Sequence, residues 1–237
     1  MKQKPMGNQK NRPGHRAPKG YDASRYERPS VACDVVIVSF FEGRLQVLLI
    51  QRKHDPYQGA WALPGGFVNM DEPLESAAAR EACEETSLAD LSLIELGAFG
   101  EPDRDPRTRV ISVAYLALVR RDRVKPRAGD DAREARWFSL RRPPKPAFDH
   151  AEILLAARRR LRELAVMTPR LFDLLPREFA AGDFLRLCSE VMGRDYDESA
   201  FFEAMSRTPG MVTAGEGRYR YRRSEFHLGD FMFLLLP

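Results

Sequence analysis

The sequence predicts an α+β protein in which a layered domain is followed by a small helical unit closed by a hairpin. Two observations predict this. Between residues 31 and 150, strand-like apolar runs alternate with only two or three helical stretches, the pattern of an α+β layered domain. After Thr168-Pro169 the order becomes helix, helix, helix, hairpin, which is the order of a winged helix-turn-helix. A third feature sets off the start of the chain. Residues 1–28 carry eight Lys/Arg against two Asp/Glu, with frequent Pro, Gly, Asn and Gln and few apolar residues. This composition reads as a flexible, solvated basic tail rather than a contact to nucleic acid or an acidic surface. The chain divides accordingly into a tail (1–29), a first domain with its connecting helix (30–167) and a second domain (168–237).

Val31–Phe40 and Leu45–Ile50 are apolar, β-rich runs separated by Glu42-Gly43, and read as two strands joined by a turn. A loop from Gln51 to Gly66 follows. Arg52 and Lys53 open it, placed to meet phosphate or a carboxylate or to stand as a surface pair, and Trp61 reads as core beneath the next helix. Pro64-Gly65-Gly66 is a turn signal, and glycine there admits a close backbone approach. Asp71 or Glu72 starts a helix with Pro73 in its first turn. At ~100° per residue, Glu81, Glu84 and Glu85 fall on one stripe beside the apolar stripe Leu74, Ala78 and Ala82. The acids thus sit at the rim of a buried interface. Like charges at these spacings repel by roughly 0.2–0.5 kcal/mol per pair, and desolvation adds to that. A divalent cation resolves the conflict, and hard oxygen ligands suit Mg²⁺ or Mn²⁺.

Further along, Leu91–Phe99 and Val110–Val119 read as strands around a polar loop, Gly100 to Arg107, whose Arg104 or Arg107 could reach a phosphate or serve a salt-linked surface loop. Asp130, Asp131 and Glu134 precede a short strand at Trp137-Phe138. Asp149 and Glu152 look like a capping box for a helix carrying Ile153, Leu154, Ala157, Leu161 and Leu164 on one face. The second unit begins with a short helix, Arg170–Leu175, then a helix from Phe179 or Ala180 to Met192, and a third from Asp195 or Asp197 to Met205. Met211–Ala214 and Arg218–Arg222 form the hairpin, with Tyr219 and Tyr221 inward and the arginines toward water. The final FMFLLLP reads as a buried strand.

The stretch Gly66 to Leu88 carries a glycine, five residues, Glu72, seven residues, Arg80-Glu81, then Glu84-Glu85 and Ser87-Leu88. It resembles the signature box of the Nudix hydrolases at every position except the late glycine, which is Ser87 here. The resemblance implies an α/β/α sandwich with a mixed sheet over roughly Val31 to His150. It also implies hydrolysis of the pyrophosphate of a nucleoside diphosphate linked to another moiety, ADP-ribose being the best single choice. By matching positions, the Gly65 carbonyl, Glu81, Glu84 and Glu85 would hold Mg²⁺ or Mn²⁺. Arg80 and Glu72 would form the ion pair that shapes the loop, and Glu81 could instead act as base. Arg52, Gly66, Arg104 and Arg107 are the candidate substrate-binding residues. Glu101, Asp103 and Glu134 are further candidate bases.

A Nudix box followed by a winged-helix order also resembles the Nudix-related transcriptional regulators. There the Nudix domain senses ADP-ribose and the winged helices of a homodimer hold DNA. Charge disfavours DNA as a partner here. Residues 168–237 hold nine Arg, no Lys and eleven Asp/Glu, whereas phosphate neutralisation supplies much of the affinity for DNA. The expected recognition helix displays Glu198, Ser199, Glu203 and Ser206 and lacks an Arg/Asn/Gln pattern for base edges. Cys33, Cys83 and Cys188 are scattered and odd in number. Together with the lack of an apolar leader or a membrane-length apolar run, they lead us to expect a reducing, cytoplasmic setting and no membrane contact.

Overall fold

The computed structural model describes residues 19–129, 132–223, 226–227, 230–231 and 235. Most of the basic tail, together with Asp130 and Asp131, lies outside them. Two long apolar runs become the hairpin β1 (Ser30–Phe41) and β2 (Arg44–Arg52). Glu42 and Gly43 take positive φ in its turn, where glycine is at ease. Seven consecutive residues of β1, Cys33 to Ser39, are buried, as in a strand covered on both faces.

After β2 come two short strands, β3 (Trp61–Ala62) and β4 (Gly65–Phe67). The expected Gly-Gly turn is therefore a strand, with Gly65 and Gly66 paired antiparallel to Asp34 and Cys33 of β1. Helix α1 runs Leu74–Thr86, with Pro73 as its N-cap, so it begins two residues later than Glu72. Strands β5 (Leu93–Phe99), β6 (Val110–Leu118) and β7 (Ala132–Ser139) complete the sheet, and α2 (His150–Met167) follows. The sheet is seven-stranded and mixed. Its path is β3-β2-β1-β6-β5, with β4 added to β1 and β7 to β2, and β1 runs parallel to β6.

Strand alternation sorts the core into two layers. Cys33, Val35 and Ile37 meet Ala77, Ala78 and Ala82 of α1 on one face. Val36 and Val38 meet Ile153, Ala157 and Leu161 of α2 on the other. Trp61 packs with this second layer, edge-on to Phe138 at 4.6 Å. It therefore lies across the sheet from α1 rather than beneath it.

The second layer continues without a break into the C-terminal unit. There the first helix is a 3₁₀ turn, Pro169–Leu174, and Phe179–Ala180 is a strand, β8, rather than helix. Then come α3 (Ala181–Met192), α4 (Glu198–Arg207), β9 (Met211–Gly215) and β10 (Arg218–Tyr221), with the three strands forming a small sheet in the order β8-β10-β9. This is the expected winged-helix order with one added strand. Gly193 closes α3 in the left-handed region, and the Asp197 side chain caps α4 by accepting from Ala200 N. Tyr221 stacks on Phe172 at 4.4 Å, so the inward tyrosine is seated on an aromatic floor. Phe231 lies in a turn and Leu235 in a helix, both buried. Where the final segment is described, it is not a strand. Among the described residues no helix is long and apolar enough to cross a membrane.

Ser87, the one departure from the box, holds the glycine's conformation, with φ 60° and ψ 22° at the C-cap of α1. Its N–H donates to the Cys83 carbonyl at 2.8 Å. A side chain in that region costs about 1 kcal/mol. Ser87→Gly is therefore expected to stabilise the protein by about 0.5–1 kcal/mol, read as a higher midpoint in urea unfolding. A lower midpoint would mean that the Ser87 hydroxyl matters more than backbone strain.

Candidate active site

The close approach of α1 to β4 builds the site. A Cβ on Gly65 would overlap the Cys33 carbonyl, and one on Gly66 would stand 2.5 Å from the Glu81 carboxylate. Glycine at both positions lets Glu81 and Glu85 lie against bare backbone. Gly65 N donates to Glu85 Oε2 at 2.9 Å. Burial raises the Glu85 carboxyl to about 8, even though the Gly65 hydrogen bond and Arg52 pull the other way. Burial also raises Glu81, against the pull of Arg80.

Arg80 clamps the outer edge. Its Nε and Nη2 donate to Glu72 at 3.0 and 2.7 Å, and Nη2 also donates to the Phe67 carbonyl at 3.1 Å. Nη1 reaches Glu81 at 2.7 Å and Glu84 at 3.1 Å. Hydrogen bonds from Arg80 and then from Asn69 N hold the Glu72 carboxyl down at about 2. The expected Arg80–Glu72 pair is thus present, and it ties the 67–72 loop to the helix.

Glu84 is over half exposed and turned toward Arg80. Among the described residues, no group of three or more His, Cys, Asp or Glu side chains is already arranged to hold a metal ion. The donor chemistry nevertheless suits one. Two half-buried carboxylates with raised affinity for protons converge on one stretch of backbone, and a hard cation would satisfy the same need as those protons.

Beyond these residues lies a narrow cleft, with a cavity volume of about 50 Å³, bounded by Gly65, Gly66, Glu85, Arg52, Arg107 and Phe148 among others. Two arginines and two aromatics fill its mouth. Arg107 is held by Asp105 at 2.7 Å, and its guanidinium lies 5.3 Å from the Phe67 ring centre and 5.9 Å from that of Phe148. Arg52 covers Phe148 at 4.9 Å and donates to the Pro56 carbonyl. Burial, then the neighbouring Arg107, lowers the Arg52 pKa. Such a crowded cation has reason to accept an anion.

Arg104 is placed differently from its neighbours. Its side chain is only 4% exposed, and it donates to both carboxylate oxygens of Asp149 at 2.8 and 2.6 Å and to Asp34 at 3.4 Å. Asp149 is thereby drawn away from capping. It sits at the N-cap of α2 with no side-chain cap hydrogen bond, which corrects the expected capping box. Asp34 also accepts from Ser112 Oγ at 2.5 Å and lies 3.4 Å from His150 Nε2. Leu63 N donates to His150 Nδ1 at 2.9 Å, so the imidazole proton belongs on Nε2, facing Asp34. Burial lowers the pKa of His150 and keeps it neutral.

Glu101 and Asp103 are exposed on the 100–107 loop, Glu134 pairs with Arg136 at 2.7 Å, and none of the three lines the cleft. The structure thus brings together Arg52, Gly65, Gly66, Glu85, Arg104 and Arg107 around the cleft, with Glu81 and Arg80 alongside, and leaves the three further candidate bases outside. Sequence reasoning missed Asp34, Asp105, Phe148 and His150. Only Asp34 announced itself, as a lone carboxylate inside an apolar strand.

Against known proteins, a family model described as NUDIX domain matches residues 31–157. An ADP-ribose pyrophosphatase from Methanocaldococcus jannaschii is 46% identical over 129 residues, spanning 54% of this chain and 73% of that protein. The ADPR responsive transcriptional repressor NtrR from Acinetobacter baylyi is 31% identical over 221 residues, spanning 90% of this chain and 88% of that one. The crystal structure of a MutT/nudix family protein from Enterococcus faecalis superposes with a TM-score of 0.72 at 33% identity, covering 83% of this chain and 88% of that one.

The buried Arg104 predicts a stability effect separate from any activity. Arg104→Met leaves Asp34 and Asp149 buried without their cation and is expected to cost about 3–5 kcal/mol in urea unfolding. Arg160→Met, which removes an exposed i,i+3 partner of Glu163, is expected to change stability by less than ~0.5 kcal/mol. Equal effects would show that the Arg104 network is not a structural element.

Proposed function

The chain belongs to the NUDIX domain family and is a Nudix hydrolase, and we propose that it cleaves the pyrophosphate of ADP-ribose in a reaction that depends on a divalent cation. The observation that carries this reading is the placement of Glu81 and Glu85 against Gly65-Gly66, in a chain 46% identical over 129 residues to an ADP-ribose pyrophosphatase. Glu81, Glu85 and the Gly65 carbonyl would hold the cation, with Glu84 joining them on release from Arg80. Mg²⁺ and Mn²⁺ both fit such ligands. Once bound, the cation supplies charge neutralisation on the phosphoryl oxygens and orients the attacking water.

The chain's own residues do the rest. Arg80 and Glu72 keep the loop and α1 in register. Arg52 and Arg107 would take the diphosphate, and Arg104 holds the 100–107 loop to the start of α2 through Asp149. A cavity of about 50 Å³ is below the ~300 Å³ at which small-molecule pockets begin, and Arg107, near Phe67 and Phe148 in the lining, is the side chain that would move to admit substrate. That movement exposes two aromatic faces and delivers a guanidinium to the phosphates.

A second reading is an ADP-ribose-responsive DNA-binding protein, working as a homodimer through its C-terminal unit. It is supported by 31% identity to a repressor across 90% of this chain. The acidic balance of residues 168–237 and the exposed Glu198 and Glu203 of α4 weigh against it. The boundary between the two units near Thr168 belongs to the same proposal. The readings are compatible, since a regulator can retain hydrolysis.

With Mg²⁺ or Mn²⁺, the protein is expected to release AMP from ADP-ribose faster than it turns over NADH, a sugar nucleotide or a nucleoside triphosphate. Glu85→Gln should lower kcat by at least ~10²-fold while leaving urea stability intact or improved. No turnover on any of these compounds, with ADP-ribose still binding, would transfer the weight to the second reading.

The raised Glu85 carboxyl sets a pH dependence. Its folded pKa of about 8 lies above its ordinary value of 4.5, so its contribution to stability is fully present below pH ~4.5 and lost as pH rises through ~8. Without cation, the protein should therefore lose up to a few kcal/mol between those limits, and Glu85→Gln should flatten the loss. Cation binding should tighten over the same range and release protons, measurable by calorimetry in buffers of different ionisation heat. Cation affinity independent of pH between 6 and 8 would remove Glu85 from the ligand set.

A further inference from the structure

The seam between the sheet and the C-terminal unit holds a second concentration of positive charge that the catalytic reading does not use. A cleft of about 300 Å³ opens there, with Arg120 and Arg123 on the sheet side and Arg177 and Arg223 on the C-terminal side. A neighbouring cleft of about 350 Å³ shares Arg120, Arg123 and Asp173 and adds Arg170, so the two form one continuous groove. Asp173 is the only carboxylate lining the first cleft among the described residues. It is already shared between two arginines, at 2.5 Å from Arg223 and 3.6 Å from Arg170. Arg120 pairs with Asp122. Arg123 and Arg177 have no ion pair among the described residues, and both are exposed. Five guanidinium groups thus meet three carboxylates along the groove, Asp173 and Asp90 in its lining and Asp122 beside Arg120.

Part of the lining is apolar. The stacked rings of Phe172 and Tyr221, 8° from parallel, meet Leu175 and Pro176 along it. Like charges gathered from sequence-distant turns repel one another. A solvated basic helix face disperses its charge into water, whereas these side chains converge on one concave surface from opposite walls. Guanidinium groups pair bidentately with phosphate oxygens, and two arginines on each side of the groove match a ligand with two phosphates.

We propose that the groove between the Arg121–Arg123 turn and the Pro169–Leu174 turn is a second anion site, which takes a small ligand bearing two linked phosphates. Inorganic pyrophosphate and a nucleoside diphosphate share the chemistry required. One phosphate meets Arg120 and Arg123, the other meets Arg177 and Arg223, and the bound ligand bridges the sheet to the C-terminal unit. The site is independent of the catalytic cleft, which is lined by none of these arginines.

The test uses the full chain, freed of divalent cations with a chelator and titrated by calorimetry with inorganic pyrophosphate, with ADP and with duplex DNA. Two variants separate the sites. Arg123→Ser/Arg177→Ser changes two exposed residues of the groove, and Arg52→Ser changes the catalytic cleft. The expected result is pyrophosphate affinity at least ~10-fold weaker in the double variant and unchanged in Arg52→Ser, with ADP-ribose turnover retained by the double variant. Binding of ADP but not pyrophosphate, lost in the same double variant, would keep the site and identify the nucleotide as its ligand. Three results would overturn the proposal: no heat with either ligand at millimolar concentration, loss of binding only in Arg52→Ser, or a double-variant effect confined to duplex DNA. The last would make the groove a nucleic-acid backbone contact.

Discussion

The constraint on which the site depends is the absence of side chains on two consecutive residues of β4. Gly65 and Gly66 let that strand lie flush on β1 and let α1 descend until the Glu81 carboxylate occupies the volume a Gly66 Cβ would need. The helix can come this close because its sheet-facing residues are Ala77, Ala78 and Ala82, all fully buried and all small. Close packing carries Glu81 and Glu85 under with it. Burial then raises both carboxyl pKa values, while Arg80 stands outside and holds Glu72, Glu81 and Glu84 in one hand of hydrogen bonds. The fold thus stores an unmet demand for positive charge at one point. A proton meets it at low pH.

What the sequence revealed and what it hid divide along the same physical line. The long apolar runs of β1, β2 and β6 and the acid stripe of α1 were legible because each is periodic over many residues and depends on local chain geometry alone. Ser87 was legible as the odd residue of its box, and the chain absorbs it by placing a serine where glycine would be easier. The features that were hidden depend on a distant partner. Pro64-Gly65-Gly66 carries every local mark of a turn, yet β1 recruits it as a strand. Asp149 and Glu152 are spaced for a capping box, yet Arg104, 45 residues away, takes the Asp149 carboxylate. Phe179-Ala180 has enough helical character to extend α3, yet it pairs with Arg218 and Tyr219 of β10. Three-dimensional competition decides each case, and no local pattern encodes the winner. His150 was hidden for a further reason. Its role comes from a tautomer fixed by Leu63 N, and a lone histidine at the start of a helix gives no hint of that.

Helix α2 joins the two chemistries. At its first turn, Asp149 grips Arg104 at the cleft; farther along, Ile153, Ala157 and Leu161 pack on the sheet; near its end, Arg162 Nε donates to the Val191 carbonyl of α3. The C-terminal unit is fastened a second time by Glu190, which accepts from Leu45 N at 3.0 Å and pairs with Arg141. Nothing in this packing resembles a loose linker between independent modules. A ligand that moves Arg107 would pull on the same loop that Arg104 ties to Asp149, and that contact lies at the start of the helix that supports the C-terminal unit. A ligand bound in the arginine-lined groove would act on the same junction from the other side, by tying the sheet to the turn that follows α2.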